Sequence, residues 1–131
     1  MRISKFFLPL VLLMIAGFTV MQSEPWPVPE KYMKMANPVK ADADALATGK
    51  EIWIKHCQSC HGKAGKGDGS KAAQLKTVPE DMTKAELQKQ TDGALLYKTA
   101  EGRDDMPSFK KKIPDQDELW SVVHYMRTFK K

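Results

Sequence analysis

Cysteine is scarce in this chain, with two residues, Cys57 and Cys60, in 131. That excludes a framework of several disulfides and a zinc site built on four thiolates. No segment has a convincing strand pattern and no internal repeat is visible, so sheet-based and solenoid folds are set aside. The glycine-rich stretch GKAGKGDGS at 62–70 lacks the G-K-[ST] ending and follows no strand, which argues against a phosphate loop. Long apolar runs are limited to one, FFLPLVLLMIAGFTVM at 6–21. Its 16 residues fall short of the roughly 20 a membrane span needs, and Pro9 interrupts them. Behind Arg2 and Lys5 it reads as the basic and hydrophobic regions of an export signal over residues 1–22. No good small-x-small cleavage site follows, the nearest candidates ending at Gly17 or Ser23, so an uncleaved N-terminal anchor is the alternative. The absence of a cysteine near residue 21 argues against a lipid-modified terminus.

Residues 23–40, SEPWPVPEKYMKMANPVK, hold Pro25, Pro27, Pro29 and Pro38. Prolines at that density rule out a regular helix through most of the stretch, so it reads as an extended tether. Trp26, Tyr32 and Met33 are the side chains in it able to pack onto a neighbouring surface. The domain proper is 41–131, near the size at which chains recruit a metal, a disulfide or a cofactor. Helices are expected near 44–59, 71–76, 83–89, 92–100 and 115–129, an all-α domain. Asp44 is the expected N-cap of the first, and Asp115 with Glu118 gives a D-x-x-E cap for the last. Leu46, Gly49, Trp53, His56, Cys57 and Cys60 recur at spacings of three and four, one helical face.

Both thiols lie in HCQSCHG at 56–62, with His61 directly after them. An oxidised or dithiol pair has this spacing, but a thioredoxin-type site wants a strand before it and a βαβ context. Zinc needs four converging ligands, and outside the motif only His56 and His124 remain. C-x-x-C-H is also the attachment signature of c-type haem, and this reading uses every residue. Cys57 and Cys60 then form thioethers from one side of a helix, and His61 is the proximal iron ligand.

Whether the chain supplies a sixth ligand decides between electron exchange and chemistry at an open iron. Candidates are Met82, Met106, Met126 and His124. Met126 falls on the apolar face of the last helix with Leu119, Val122 and Val123, and reads as core. His124 reads as a partly exposed helix residue, and Met82 as a core or staple contact. Met106 lies in EGRDDMPSFKKKIP at 101–114, with Pro107 locking the backbone just after it. It is the expected distal ligand, the alternative being a loop methionine that caps the core.

On GKEIWIKHCQSCHGKAGKGDG (49–69), TDGALLYKTAEGRDDMPSF (91–109) and DELWSVVHYMRTF (117–129), the chain resembles the class I, His/Met monohaem cytochrome c family in its small bacterial form. The resemblance covers about 41–131 and implies a helical wrap around one covalent haem c. It implies that Cys57 and Cys60 attach the cofactor, and that His61 and Met106 ligate iron. Gly49 and Trp53 would meet the C-terminal helix near Trp120 and Tyr125. The pattern departs at Ser70, where many relatives have a proline after GDG. The carbonyl that orients His61 is therefore open, with one near Pro79 a candidate.

The implied function is a one-electron carrier, cycling Fe(III)/Fe(II) in a periplasmic or otherwise extracytoplasmic respiratory chain. The chain is expected to be a monomer, with the N-terminal segment a further candidate tether. The alternatives are a haem subunit fixed in an oxidase or dehydrogenase and, third, a small peroxidase or gas sensor using Arg103, Asp104 or Asp105. The formal net charge is +5, but 41–131 holds 16 basic and 14 acidic residues, so the basic pI does not indicate nucleic acid. Lys63, Lys66, Lys110, Lys111 and Lys112 flank the two ligand loops and would steer acidic redox partners.

Overall fold

The structure is a computed structural model and describes residues 25–131. The expected export segment at 1–22 and the first two residues of the tether lie outside the described residues. Among the described residues there is no strand, only an isolated bridge between Arg103 and Met106, and no helix is long and apolar enough to cross a membrane.

Two helices cross to form the frame. The first, α2 (Ala43–Ile52), is capped by Asp42, whose side chain accepts from the Ala45 amide at 3.0 Å. The expected cap, Asp44, lies instead in the first turn, where its charge suits the helix dipole. The C-terminal helix, α6 (Gln116–Arg127), is capped by Asp115, which accepts from the Asp117 amide, and buries Leu119, Trp120, Val122, Val123 and Met126. Gly49 lies at the crossing. A Cβ built there would sit 2.1 Å from the Ser121 carbonyl oxygen and 2.9 Å from Tyr125 Cβ. The glycine's cost within the helix, about 1 kcal/mol, is thus exchanged for backbone-to-backbone approach.

The helix does not continue as one regular face. After Ile52 the backbone widens into a π turn over Trp53–Cys57, with the Gln58 amide donating to the Trp53 carbonyl, and tightens again as α3 (Gln58–His61). Ala45, Gly49, Trp53 and Cys57 are the buried positions, and Leu46 and His56 are only partly buried. Trp53 is fully enclosed, donates from Nε1 to the Gly62 carbonyl at 3.1 Å, and lies against the rings of Tyr125 and Phe129.

A short helix α4 (Ala85–Gln88) leads into α5 (Asp92–Glu101), capped by Thr91 and burying Ala94, Leu95, Leu96 and Thr99. Arg127 joins α6 to this region. It pairs with Asp92 at 2.6 Å and donates to the carbonyls of Gln88 and Gln90. Replacing it by methionine leaves three partly buried acceptors without their donor. Arg127→Met should lower the unfolding free energy by about 2 kcal/mol and the melting midpoint by roughly 10 °C, read by thermal denaturation.

Residues 25–40 lie along the domain. A single helical turn, α1 (Glu30–Met33), follows Pro29 and seats Tyr32 on Tyr97, ring centroids 4.8 Å apart. Asn37 donates to the Trp120 carbonyl at 3.1 Å, and His124 Nε2 meets the Val39 carbonyl at 2.7 Å. Met33 remains 45% exposed, so of the three side chains able to pack here it is the one that does not.

Candidate functional site

The π turn and α3 deliver Cys57, Cys60 and His61 to one wall of a cavity of about 650 Å³. Met106 and Phe109 line it from the segment between α5 and α6, and Pro79, Glu80 and Met82 from the loop before α4. Trp53, Leu87, Leu95 and Met126 supply apolar wall. Among the described residues, no three His, Cys, Asp or Glu side chains converge as a metal site would require. Cys57 and Cys60 are not joined to each other in a disulfide. Burial, and then the neighbouring Cys60, push the Cys57 thiol up to about 12.

Burial lowers the His61 pKa below the ordinary histidine value, so the imidazole is neutral near pH 7, the form that donates a lone pair to a metal. The Glu80 backbone lies close enough to the ring to oppose that shift. Nδ1 is fully enclosed with no partner. Gly67 explains how the 79–82 loop comes so near: at φ +76°, a Cβ there would lie 2.3 Å from the Pro79 carbonyl oxygen. The chain at Glu80, next to Pro79, is what acts on the His61 ring. A buried, neutral imidazole, two cysteines three residues apart and an apolar cavity beside them fit a covalently attached porphyrin.

Of the four candidate distal ligands, His124 is engaged with Val39 and does not line the cavity. Met82 and Met126 are 5% and 3% exposed, and the Gln88 side-chain amide donates to both their carbonyls. Met82 also donates from its amide to Gly65 at 2.6 Å, which ties it to the loop that follows His61. Met106 enters from another segment, and its amide and carbonyl exchange hydrogen bonds with Arg103, both 2.9 Å.

Sequence reasoning passed over several cavity residues. Trp26, from the arm, lies beneath two cations, with the Arg103 guanidinium 4.6 Å and Lys98 Nζ 5.5 Å from the ring centroid. Lys98 itself, between the buried Leu95 and Thr99, was a readable signal: a charge on an apolar face. Thr77 and the 91% exposed Val78 form part of the rim. Asp105, an acid–base candidate, is engaged with Thr77 and Lys76, and these hydrogen bonds lower its pKa. The five lysines are all exposed; Lys110 pairs with Glu101 and Lys112 lies over Phe109.

Fold and site together define an all-α c-type cytochrome domain with covalent haem c. The family model described as cytochrome c oxidase, cbb3-type, subunit III matches residues 44–126, and the chain belongs to that family. It is similar in structure to a chain of the Kuenenia stuttgartiensis reducing HAO-like protein complex Kustc0457/Kustc0458, with a TM-score of 0.66 and 25% identity over 82% of this chain. That match takes in 52% of the other chain, so the present one spans about half its length. It is also similar to the KustC0563 c-type cytochrome, with a TM-score of 0.56 and 29% identity over 63% of this chain and 98% of that one. Cytochrome CL from the marine methylotrophic bacterium Methylophaga aminisulfidivorans shares the fold, with a TM-score of 0.52 and 18% identity over 66% of this chain and 54% of that one. No curated protein matches the chain.

Proposed function

We propose that the protein is a monohaem one-electron carrier in which Cys57 and Cys60 hold the cofactor by thioethers and His61 and Met106 ligate its iron. The observation that carries this reading is the shared cavity, to which α3 brings the thiols and imidazole and a separate pinned loop brings Met106. Haem c supplies the Fe(III)/Fe(II) couple. The chain's residues set its conditions. His61 is kept neutral by its enclosure, the apolar wall of Trp53, Leu87 and Leu95 excludes water, and the soft thioether favours ferrous iron, raising the potential. Lys63, Lys66 and Lys110–Lys112, with the exposed Val78 at the rim, suit brief docking of an acidic redox partner. Export by residues 1–22 and service in a respiratory chain complete the reading.

Mass spectrometry of the exported protein should find one haem added on the 57–61 peptide. The ferric protein should show the far-red sulfur-to-iron charge-transfer band. A high-spin, five-coordinate ferric spectrum would overturn the axial assignment, and an unmodified peptide the whole reading.

A second reading, a haem subunit fixed in a larger complex, is favoured by the family's description and by the neighbour drawn from a complex. Co-purification in stoichiometric amount with a membrane oxidase or a dehydrogenase would select it over a free carrier.

A further inference from the structure

The Met106 loop is tied to the rest of the molecule at its side chains as well as its ends. At its ends it is closed by the paired hydrogen bonds between Arg103 and Met106, and by Ala100, whose carbonyl accepts from Ser108 Oγ and the Phe109 amide. Its middle is not a conformation a loop keeps unaided. Asp104 has φ +52°, the left-handed region that non-glycine residues seldom occupy. Two outward contacts bracket this turn. On one side the Asp105 carboxylate accepts from the Lys76 amide at 2.7 Å, the Thr77 amide at 2.9 Å and Thr77 Oγ1 at 3.2 Å. On the other, Arg103 lies over the Trp26 indole and donates to the Pro25 carbonyl at 3.3 Å. Trp26 and Pro25 belong to the arm, outside the 44–126 region that the family model matches.

The bracketing residues have no chain connection to one another across the cavity rim. Thr77 belongs to the loop that follows the attachment motif, and Trp26 to the N-terminal arm. Each clamps a residue within three positions of Met106, and Trp26, Thr77, Arg103 and Asp105 all line the same cavity. A charged acceptor taking three donors is the stronger kind of hydrogen-bonded contact, and an arginine on an indole face is held by the ring's quadrupole.

We propose that Asp105 and Trp26 are positioning residues for Met106: they clamp its loop from both sides and hold the sulfur at the iron. This rests on the assignment of Met106 as distal ligand. A ligand from solution reaches the iron only when the loop opens, so its rate of uptake measures the open population. Without a clamp that population increases, while the ligand set stays the same.

The test is stopped-flow uptake of imidazole by the ferric holoprotein, with the far-red band recorded for each variant. Asp105→Ala should take up imidazole about tenfold faster than wild type, the loss of a charge-assisted contact, and Trp26→Ala about threefold faster, the loss of a cation–π contact. Thr77→Val, which removes the hydroxyl and keeps the amide donors, should give a smaller increase. Lys89→Ala, an exposed change away from the loop, should leave the rate at the wild-type value. An intact wild-type band with wild-type rates in both Asp105→Ala and Trp26→Ala overturns the clamp and leaves the ligand assignment standing. A wild type that lacks the band overturns the assignment and the clamp with it.

Discussion

Met106→Ala should abolish the far-red band, convert the ferric iron to a high-spin form and lower the reduction potential. The size of the effect follows from what the methionine competes with. If the closed state is held by about 3 kcal/mol, within the usual range for a two-state element, its removal raises the apparent affinity for cyanide or imidazole about 100-fold. Met106→His separates coordination from sulfur. It should keep the iron six-coordinate and low-spin, yet lose the band and lower the potential, because a harder nitrogen replaces the thioether. Equilibrium titration with cyanide and a spectroelectrochemical potential check both variants. Met82→Leu is the matching control, since Met82 is a buried residue tied to the proximal loop, and its band should survive.

Gly49→Val should have the largest effect on stability. The first atom of the new side chain meets the Ser121 carbonyl, a backbone atom that moves only if α6 moves. Overpacking in a core costs about 1–3 kcal/mol when side chains can give way. Here they cannot, and a loss at or above about 3 kcal/mol is expected, which for a domain of this size is roughly 15 °C in melting midpoint. Gly49→Ala meets the same oxygen and should lose most of that amount despite alanine's better helix propensity. Thermal unfolding of the holoprotein gives both values. A neutral Gly49→Ala would mean that the helices cross farther apart.

Much of the frame was legible because its signals are local. In α6, Asp115 and the spacing of Leu119, Val122, Val123 and Met126 lie within four turns of one another. C-x-x-C-H is likewise a run of neighbours. Less was legible where partners are distant in sequence. The cap of α2 is Asp42 and not Asp44, and in the run DAD only the position of the Ala45 amide distinguishes them. The prolines of 25–38 argue against a long regular helix, and within 25–40 only the single turn Glu30–Met33 is helical. Its course along the domain depends on Tyr97, Arg103, Trp120 and His124, none of which local pattern connects to it. Asp105 reads in sequence as an acid–base candidate; its engagement with Thr77 spans 28 residues. The π turn has no compositional mark at all, since WIKHC suits an α-helix equally well.

That widened turn has a consequence for how the molecule tolerates change. Each residue in an α-helix advances the chain by about 100°. The supernumerary residue between Trp53 and Cys57 therefore sets the angular phase of the attachment motif independently of the phase at which Gly49 meets Ser121. Docking of the long helices and presentation of thiols and imidazole need not share one ideal rotation. A single amino acid of slack reconciles them, and either surface can drift without dragging the other out of alignment.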